Sequence, residues 1–240
     1  MSVWKRIRRY FSMVEILLWS SSVVLIVGSY FLFDRESGMT LIASLMGVTS
    51  LIFCAKGNPI GQVLMVLFSL FYGIISFALA YYGEMITYLG MTLPMAIFSL
   101  ISWMRHPYKG DRSQVEVDHI GKKEFWGMWL LTFAVSVVFY FLLKFFNTAN
   151  LIPSTISVAT SFLAVYLTFR RSPYFALAYA ANDIVLIVLW TLASFSELRY
   201  LSVVVCFVAF LMNDLYSFIN WRRMERMQRE QMQSIEMKEI

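Results

Sequence analysis

Two Asn-Asp pairs, Asn182-Asp183 and Asn213-Asp214, interrupt stretches that are otherwise apolar enough to cross a membrane. An Asp at the centre of a membrane helix costs roughly 2.5–3.5 kcal/mol on insertion scales, so such a group faces a protein interior or a watery cavity. Asp183 lies ten residues beyond Pro173. At about 1.5 Å per residue that is roughly 15 Å, half of a hydrocarbon core about 30 Å thick. Trp190 follows Asp183 on the same helix face, two turns on. Asn213, Ser217 and Asn220 fall at i, i+4, i+7 and form one polar stripe, with Asp214 and Trp221 on the adjacent stripe and Tyr216 between them. Gln62, Ser69 and Ser76 make a softer stripe at i, i+7, i+14, with Tyr72 and Gly73 near that face. Amides and hydroxyls pair a polar solute, a carboxylate balances charge, and aromatic faces attract cations. This is the chemistry of holding a small passenger. Single polar residues carry less weight, because Ser, Thr and Asn also join membrane helices to one another at about 0.6 kcal/mol each. Asp214, nearer the cytoplasmic edge, could equally cap or pair with Arg222.

Bond-making chemistry is poorly provided. His106 and His119 are the only histidines and both fall in a hydrophilic loop, which excludes a buried imidazole base or a metal cluster. There is no Walker A run or HExxH, and no GxSxG or SxxK. No cofactor and no metal are expected, and an enzyme is not. A membrane-embedded enzyme would need a cluster of His, Asp or Glu near the interface, where only Asp214 is available. A purely structural subunit would not need polar pairs in its core.

The elements that position these residues are membrane helices. The chain is 59% hydrophobic and 15% charged, against about 25% charged in soluble domains. Breaks at charges, Gly and Pro predict eight spans, at 13–33, 39–54, 60–82, 85–104, 125–146, 151–169, 173–195 and 199–221, most of them near the ~20 residues that a crossing needs. Eight spans put both termini on one side. Of the 20 Lys and Arg only Arg35, Lys144 and Arg199 then lie opposite, so the termini are cytoplasmic by the positive-inside rule. The net charge of +5 reflects this orientation and not nucleic-acid binding. Cys54 and Cys206 read as small buried hydrophobes. The basic start leads into a long span without a small-residue cleavage site, which predicts an anchor helix and not a removable signal.

A motif recurs. Phe98-Ser99-Leu100-Ile101-Ser102-Trp103-Met104-Arg105 closes the fourth span and Tyr216-Ser217-Phe218-Ile219-Asn220-Trp221-Arg222-Arg223 closes the eighth. Asn58-Pro59 and Ser172-Pro173 each open the middle helix of a three-helix set. The chain therefore parses as an N-terminal basic segment and extra helix (1–38), a three-helix repeat (39–104), a loop and linking helix (105–146), a second repeat (151–221) and a cytoplasmic tail (222–240). One linking helix makes the repeats parallel, an arrangement in which the site lies at their interface near the midplane. The stretch from Arg105 to Glu124 is expected to be a loop and the tail a solvated helical extension. Glu84 sits at an outer turn, solvated or guarding an outer entrance, and Pro94 is expected to kink its helix and free a carbonyl.

The runs Tyr179–Trp190, Leu211–Trp221 and Tyr82-Gly83-Glu84-Met85 resemble the bacterial PnuC family of nicotinamide riboside transporters, over roughly residues 40–223. The resemblance implies two three-helix bundles joined by one helix, similar to the sugar-transporting SWEET fold on a single chain. It implies facilitated diffusion of a ribosylated vitamin across the bacterial plasma membrane, trapped inside by a separate cytoplasmic nicotinamide riboside kinase. Where other members carry tryptophans before the Asn of the seventh span, this chain has Tyr174 and Tyr179. Thiamine, riboflavin or a deoxynucleoside is therefore an alternative cargo. The expected binding residues are Asn182, Asp183, Trp190, Asn213, Tyr216 and Asn220, with Gln62, Ser69, Tyr72 and Trp103 from the first repeat. Tyr82, Glu84, Asp214 and Trp221 are expected at a gate or entrance. The lipid bilayer is the expected environment, and self-association is left open.

Overall fold

The computed structural model describes residues 10–35, 38–78, 82–148 and 150–239. Its helices are α1 (Met13–Phe33), α2 (Gly38–Ala55), α3 (Ile60–Ala78), the short α4 (Tyr82–Ile86), α5 (Leu93–Arg105), α6 (Lys122–Phe145), α7 (Leu151–Phe169), α8 (Phe175–Ser194) and α9 (Leu201–Glu239). Among the described residues seven helical stretches are long and apolar enough to span a membrane, and α3 adds a shorter apolar run at Ile60–Ile74. The protein is all-α in its membrane part, with eight crossings. The fourth is not one continuous α-helix. Between α4 and α5 the chain takes a π-helical turn over Thr87–Thr92. Pro94 follows it at the head of α5 and has no N–H to give, so the wider turn absorbs the missing donor.

Six helices close into a ring by contact: α2 on α3, α3 on α5, α5 on α7, α7 on α8, α8 on α9, and α9 back on α2. α1 lies outside against α9 and α2, and α6 lies outside against α7. Small residues permit the closest approaches. A Cβ on Gly73 of α3 would fall 2.4 Å from Leu89 of the π-turn, and one on Gly47 of α2 would fall 2.6 Å from Phe210 of α9.

At the end of the ring nearest the termini, α2 and α7 finish in the same way. Asn58 N–H returns to Phe53 O (3.0 Å) and Gly57 N–H to Cys54 O (2.9 Å), while Ser172 N–H returns to Leu167 O (3.0 Å) and Arg171 N–H to Thr168 O (3.0 Å). Both are Schellman ends, which place one residue in the left-handed region. Gly57 takes it freely at φ 67°, and Arg171 takes it at φ 55°. The Arg171 side chain is held there by Glu116 O, Ser102 Oγ, His106 Nδ1 and Asp118, all at 2.9–3.1 Å.

The recurring motif reaches across to these ends. Trp103 of α5 donates its indole N–H to Thr168 O (2.9 Å) and Ser102 donates to Phe169 O (2.8 Å). Trp221 of α9 donates to Cys54 O (2.8 Å) and Asn220 to Ala55 O (2.8 Å). Each motif thus supplies donors to the last two carbonyls of the adjoining helix, which belongs to the other three-helix set. The two indoles meet between these staples in a tilted contact with centroids 5.4 Å apart, and Phe175 lies edge-on 4.9 Å from Trp221.

Two expectations are corrected at this end. The stretch after Arg105 is not merely a loop, because Pro107–Tyr108 and Asp111–Val115 pair as a short antiparallel hairpin. The tail is not wholly solvated. α9 runs unbroken to Glu239, and Gln228, on its buried face, donates to Val115 O and accepts from Val117 N–H. Val115 N–H in turn meets Gly57 O at 2.9 Å. The hairpin was illegible because its one apolar anchor, Val115, is buried by partners distant in sequence.

Trp103→Ala and Trp221→Ala should each lower stability by about 3–5 kcal/mol, as expected for a fully buried large aromatic. Because the rings touch, the double variant should cost less than the sum. Unfolding in mixed detergent micelles measures both quantities, and strict additivity would show that the two staples act independently.

Candidate functional site

The ring encloses a cavity of about 670 Å³. Its lining runs from the helix ends opposite the termini, at Tyr82, Thr148 and Glu197, down to Met65, Tyr179 and Asp214. Below that floor lie Trp103, Trp221 and Phe175, which pack together edge-on and tilted and are buried. The cavity is therefore deep on one side and sealed by the staples on the other.

Its walls alternate aromatic faces with hydrogen-bonding groups. From α3 and the π-turn, Tyr72 and Tyr88 approach to 4.5 Å between centroids, with Phe68 at 5.6 Å from Tyr72. Across the cavity Trp190 stacks on Tyr200 at 5.3 Å. A flat ring between such walls gains stacking, and a cationic ring gains attraction to the π faces as well.

The polar groups come mainly from α7 and α8. Asn182 Oδ1 lies 2.8 Å from Thr160 Oγ1, 3.1 Å from Ser161 Oγ and 3.2 Å from Ser157 Oγ. Asp183, next in sequence and therefore turned about 100° around the helix, lies beside Asp214 of α9. Asp183 Oδ2 and Asp214 Oδ1 have no hydrogen-bond partner among the described residues.

A sequence model of the family described as nicotinamide mononucleotide transporter matches residues 37–223. The chain belongs to that family. A nicotinamide riboside transporter, PnuC, from Neisseria mucosa is 26% identical over 200 residues, which is 81% of this chain and 75% of that protein. The crystal structure of the vitamin B3 transporter PnuC shares the fold at a TM-score of 0.74 and 21% identity, covering 95% of this chain and 100% of that one. The molecule is a multi-pass membrane transporter, and its relatives and fold are not those of an enzyme.

The structure brings together part of the set that the sequence singled out. Asn182, Asp183, Trp190, Tyr72, Asp214 and Tyr82 line the cavity. Asn213 and Tyr216 face α1 instead: Asn213 Nδ2 donates to Ser22 Oγ (2.9 Å) and Tyr216 Oη donates to Glu15 (3.1 Å). Glu15 is buried and also pairs with Lys56 at 3.1 Å. Gln62 donates to Cys54 Sγ and Ser69 to its own helix at Met65 O. Asn220, Trp103 and Trp221 belong to the staples. The Glu84 side chain lies outside the described residues. Sequence reasoning passed over Tyr88, Tyr200, Ser157 and Ser161, and named Tyr179 without placing it among the binding residues. For the serines a signal existed, since Ser154, Ser157 and Ser161 recur at i, i+3, i+7 on one face of α7.

A double-mutant cycle on Asn213→Ala and Ser22→Ala, read from unfolding in detergent, should return a coupling of roughly 0.6–1.7 kcal/mol, the range for hydrogen bonds between membrane helices. Zero coupling would mean that the Asn213 amide does its work elsewhere.

Proposed function

We propose that this transporter carries nicotinamide riboside into bacteria by facilitated diffusion, with a separate cytoplasmic kinase trapping the product by phosphorylation. The observation that supports the reading best is the cavity itself. Its volume, about 670 Å³, falls within the ~300–1,000 Å³ of small-molecule sites, and its make-up matches the cargo group by group. Nicotinamide riboside has a flat cationic pyridinium for the walls of Tyr72, Tyr88 and Trp190. It has a carboxamide and ribose hydroxyls for Asn182, and its positive charge suits the acidic floor at Asp183 and Asp214. The relatives described above, one of them named for nicotinamide riboside and the other for vitamin B3, support the same cargo.

In this reading the cavity is the outward-facing half of the path. The two three-helix units, 39–104 and 151–221, rock against each other, and the Trp103–Trp221 staples part to release the cargo on the side of the termini. That side is the cytoplasm in this reading, which the distribution of Lys and Arg supports. A cysteine placed at Gly110, in the hairpin, should therefore resist an impermeant maleimide in intact cells and react once the membrane is opened. Labelling in intact cells would reverse the orientation.

One observation favours a second reading. Tyr179 lines the cavity at a stretch where other family members carry tryptophan, so the cargo's contact there differs and a related vitamin or nucleoside becomes a competing passenger. Thermal stability in detergent decides between them, since a ligand at 100 times its Kd stabilises by about 2.7 kcal/mol. Nicotinamide riboside should raise the transition, while thiamine, riboflavin and deoxynucleosides should not. Asn182→Ala should weaken binding by about tenfold or more, the equivalent of one lost hydrogen bond in a buried site. Stabilisation by thiamine alone would replace the cargo.

A further inference from the structure

The amide of Asn182 is oriented by its neighbours. A carbonyl oxygen has two lone pairs, and the Oδ1 atom has three hydroxyls within 3.2 Å, those of Ser157, Thr160 and Ser161. The Thr160 proton also has Ile156 O at 3.0 Å and Ser157 O at 3.1 Å to choose from, so Ser157 and Ser161 are the dedicated donors. The Nδ2 group has no hydrogen-bond partner among the described residues, and Asn182 lines the cavity. An amide whose oxygen is saturated from behind can meet a cargo only through its N–H groups.

We propose that Ser157 and Ser161, with Thr160 in support, are positioning residues that hold Asn182 as a donor-only contact, so that the transporter selects a cargo bearing an acceptor oxygen at that point. The proposal rests on the cargo reading given above and adds the polarity of its recognition. For a pyridinium riboside the acceptor is the carbonyl of the ring substituent. A site built to pair a polar group discriminates strongly against an analogue lacking that group, because its own buried donor is then left empty. The amino half of the carboxamide does not enter into the selection.

Competition for uptake of labelled nicotinamide riboside into proteoliposomes tests this with two analogues. 3-Acetylpyridine riboside keeps the carbonyl and loses the amino group, and the unsubstituted pyridinium riboside loses both. In the wild type the acetyl compound should compete within about threefold of nicotinamide riboside and the unsubstituted one at least about tenfold worse, the weight of one hydrogen bond. In the Ser157→Ala/Ser161→Ala variant the amide is free to turn. KM for nicotinamide riboside should rise about tenfold with little change in maximal rate, and the gap between the two analogues should close. Ser157→Thr/Ser161→Thr, which keeps both hydroxyls, should restore the gap. An alanine variant that keeps the wild-type gap, or a threonine variant as indifferent as the alanine one, overturns the positioning role while leaving the cargo intact. A wild type that prefers the unsubstituted compound overturns the donor-only polarity. A wild type that neither binds nor carries nicotinamide riboside is the distinct failure of the cargo reading, and the proposal falls with it.

Discussion

The molecule depends on how the carbonyls at the ends of α2 and α7 are satisfied. A helix end leaves its last carbonyls without intrahelical partners, and in a protein interior each such group must find a donor or raise the free energy by about 1–3 kcal/mol. Here the Schellman turns supply some of these donors, and the adjoining helix of the other half supplies the rest. Ser102 and Trp103 reach the end of α7, and Asn220 and Trp221 reach the end of α2. Because each helix end borrows from the other half, neither half is complete alone. The same four donors fix where the aromatic seal must sit, and hence where the cavity stops.

Above the seal, the cavity follows from what remains. α3 and the π-turn contribute aromatic rings because the wide turn at Thr87–Thr92 brings Tyr88 back over Tyr72. α8 contributes the polar groups because Ala176, Ala178 and Ala180 are buried in its first half, letting that half sink into the ring and carry Asn182 and Asp183 to the cavity wall.

The sequence carried much of this, and its silences have physical causes. Spans, turns and the repeated motif were legible because they depend on local composition and on Gly and Pro. The task of the motif was not, since the carbonyls it caps lie more than sixty residues away in sequence. The stripe at Asn213, Ser217 and Asn220 was real as a stripe, yet α9 has neighbours on several sides, α1, α2 and α8 among them. Spacing fixes which residues share a face but not what lies opposite, and here α1 and α2 took Asn213, Tyr216 and Asn220. Glu15 explains part of the difference. A buried carboxylate in the leading helix needs partners, and Lys56 and Tyr216 were drawn to it. The serines of α7 were visible but quiet, because a hydroxyl in a membrane helix usually bonds its own backbone and signals nothing.

The Asn-Asp pair of α8 has a meaning as a pair. Adjacent residues point about 100° apart on a helix, so Asn182 can reach the hydroxyls of α7 while Asp183 reaches Asp214 on α9, at one depth. Either contact alone would allow the helix to roll about the other. Together they fix the rotation of α8 between its two neighbours, since any turn that improves one contact pulls the other apart. Both groups also line the cavity, so the fixed rotation is also what aims the Asn182 N–H groups. Holding costly polar side chains at mid-depth is therefore tolerable for two reasons at once. The Asn182 oxygen is satisfied from the side of α7, and that is what gives the cavity wall a defined polarity for a cargo to read.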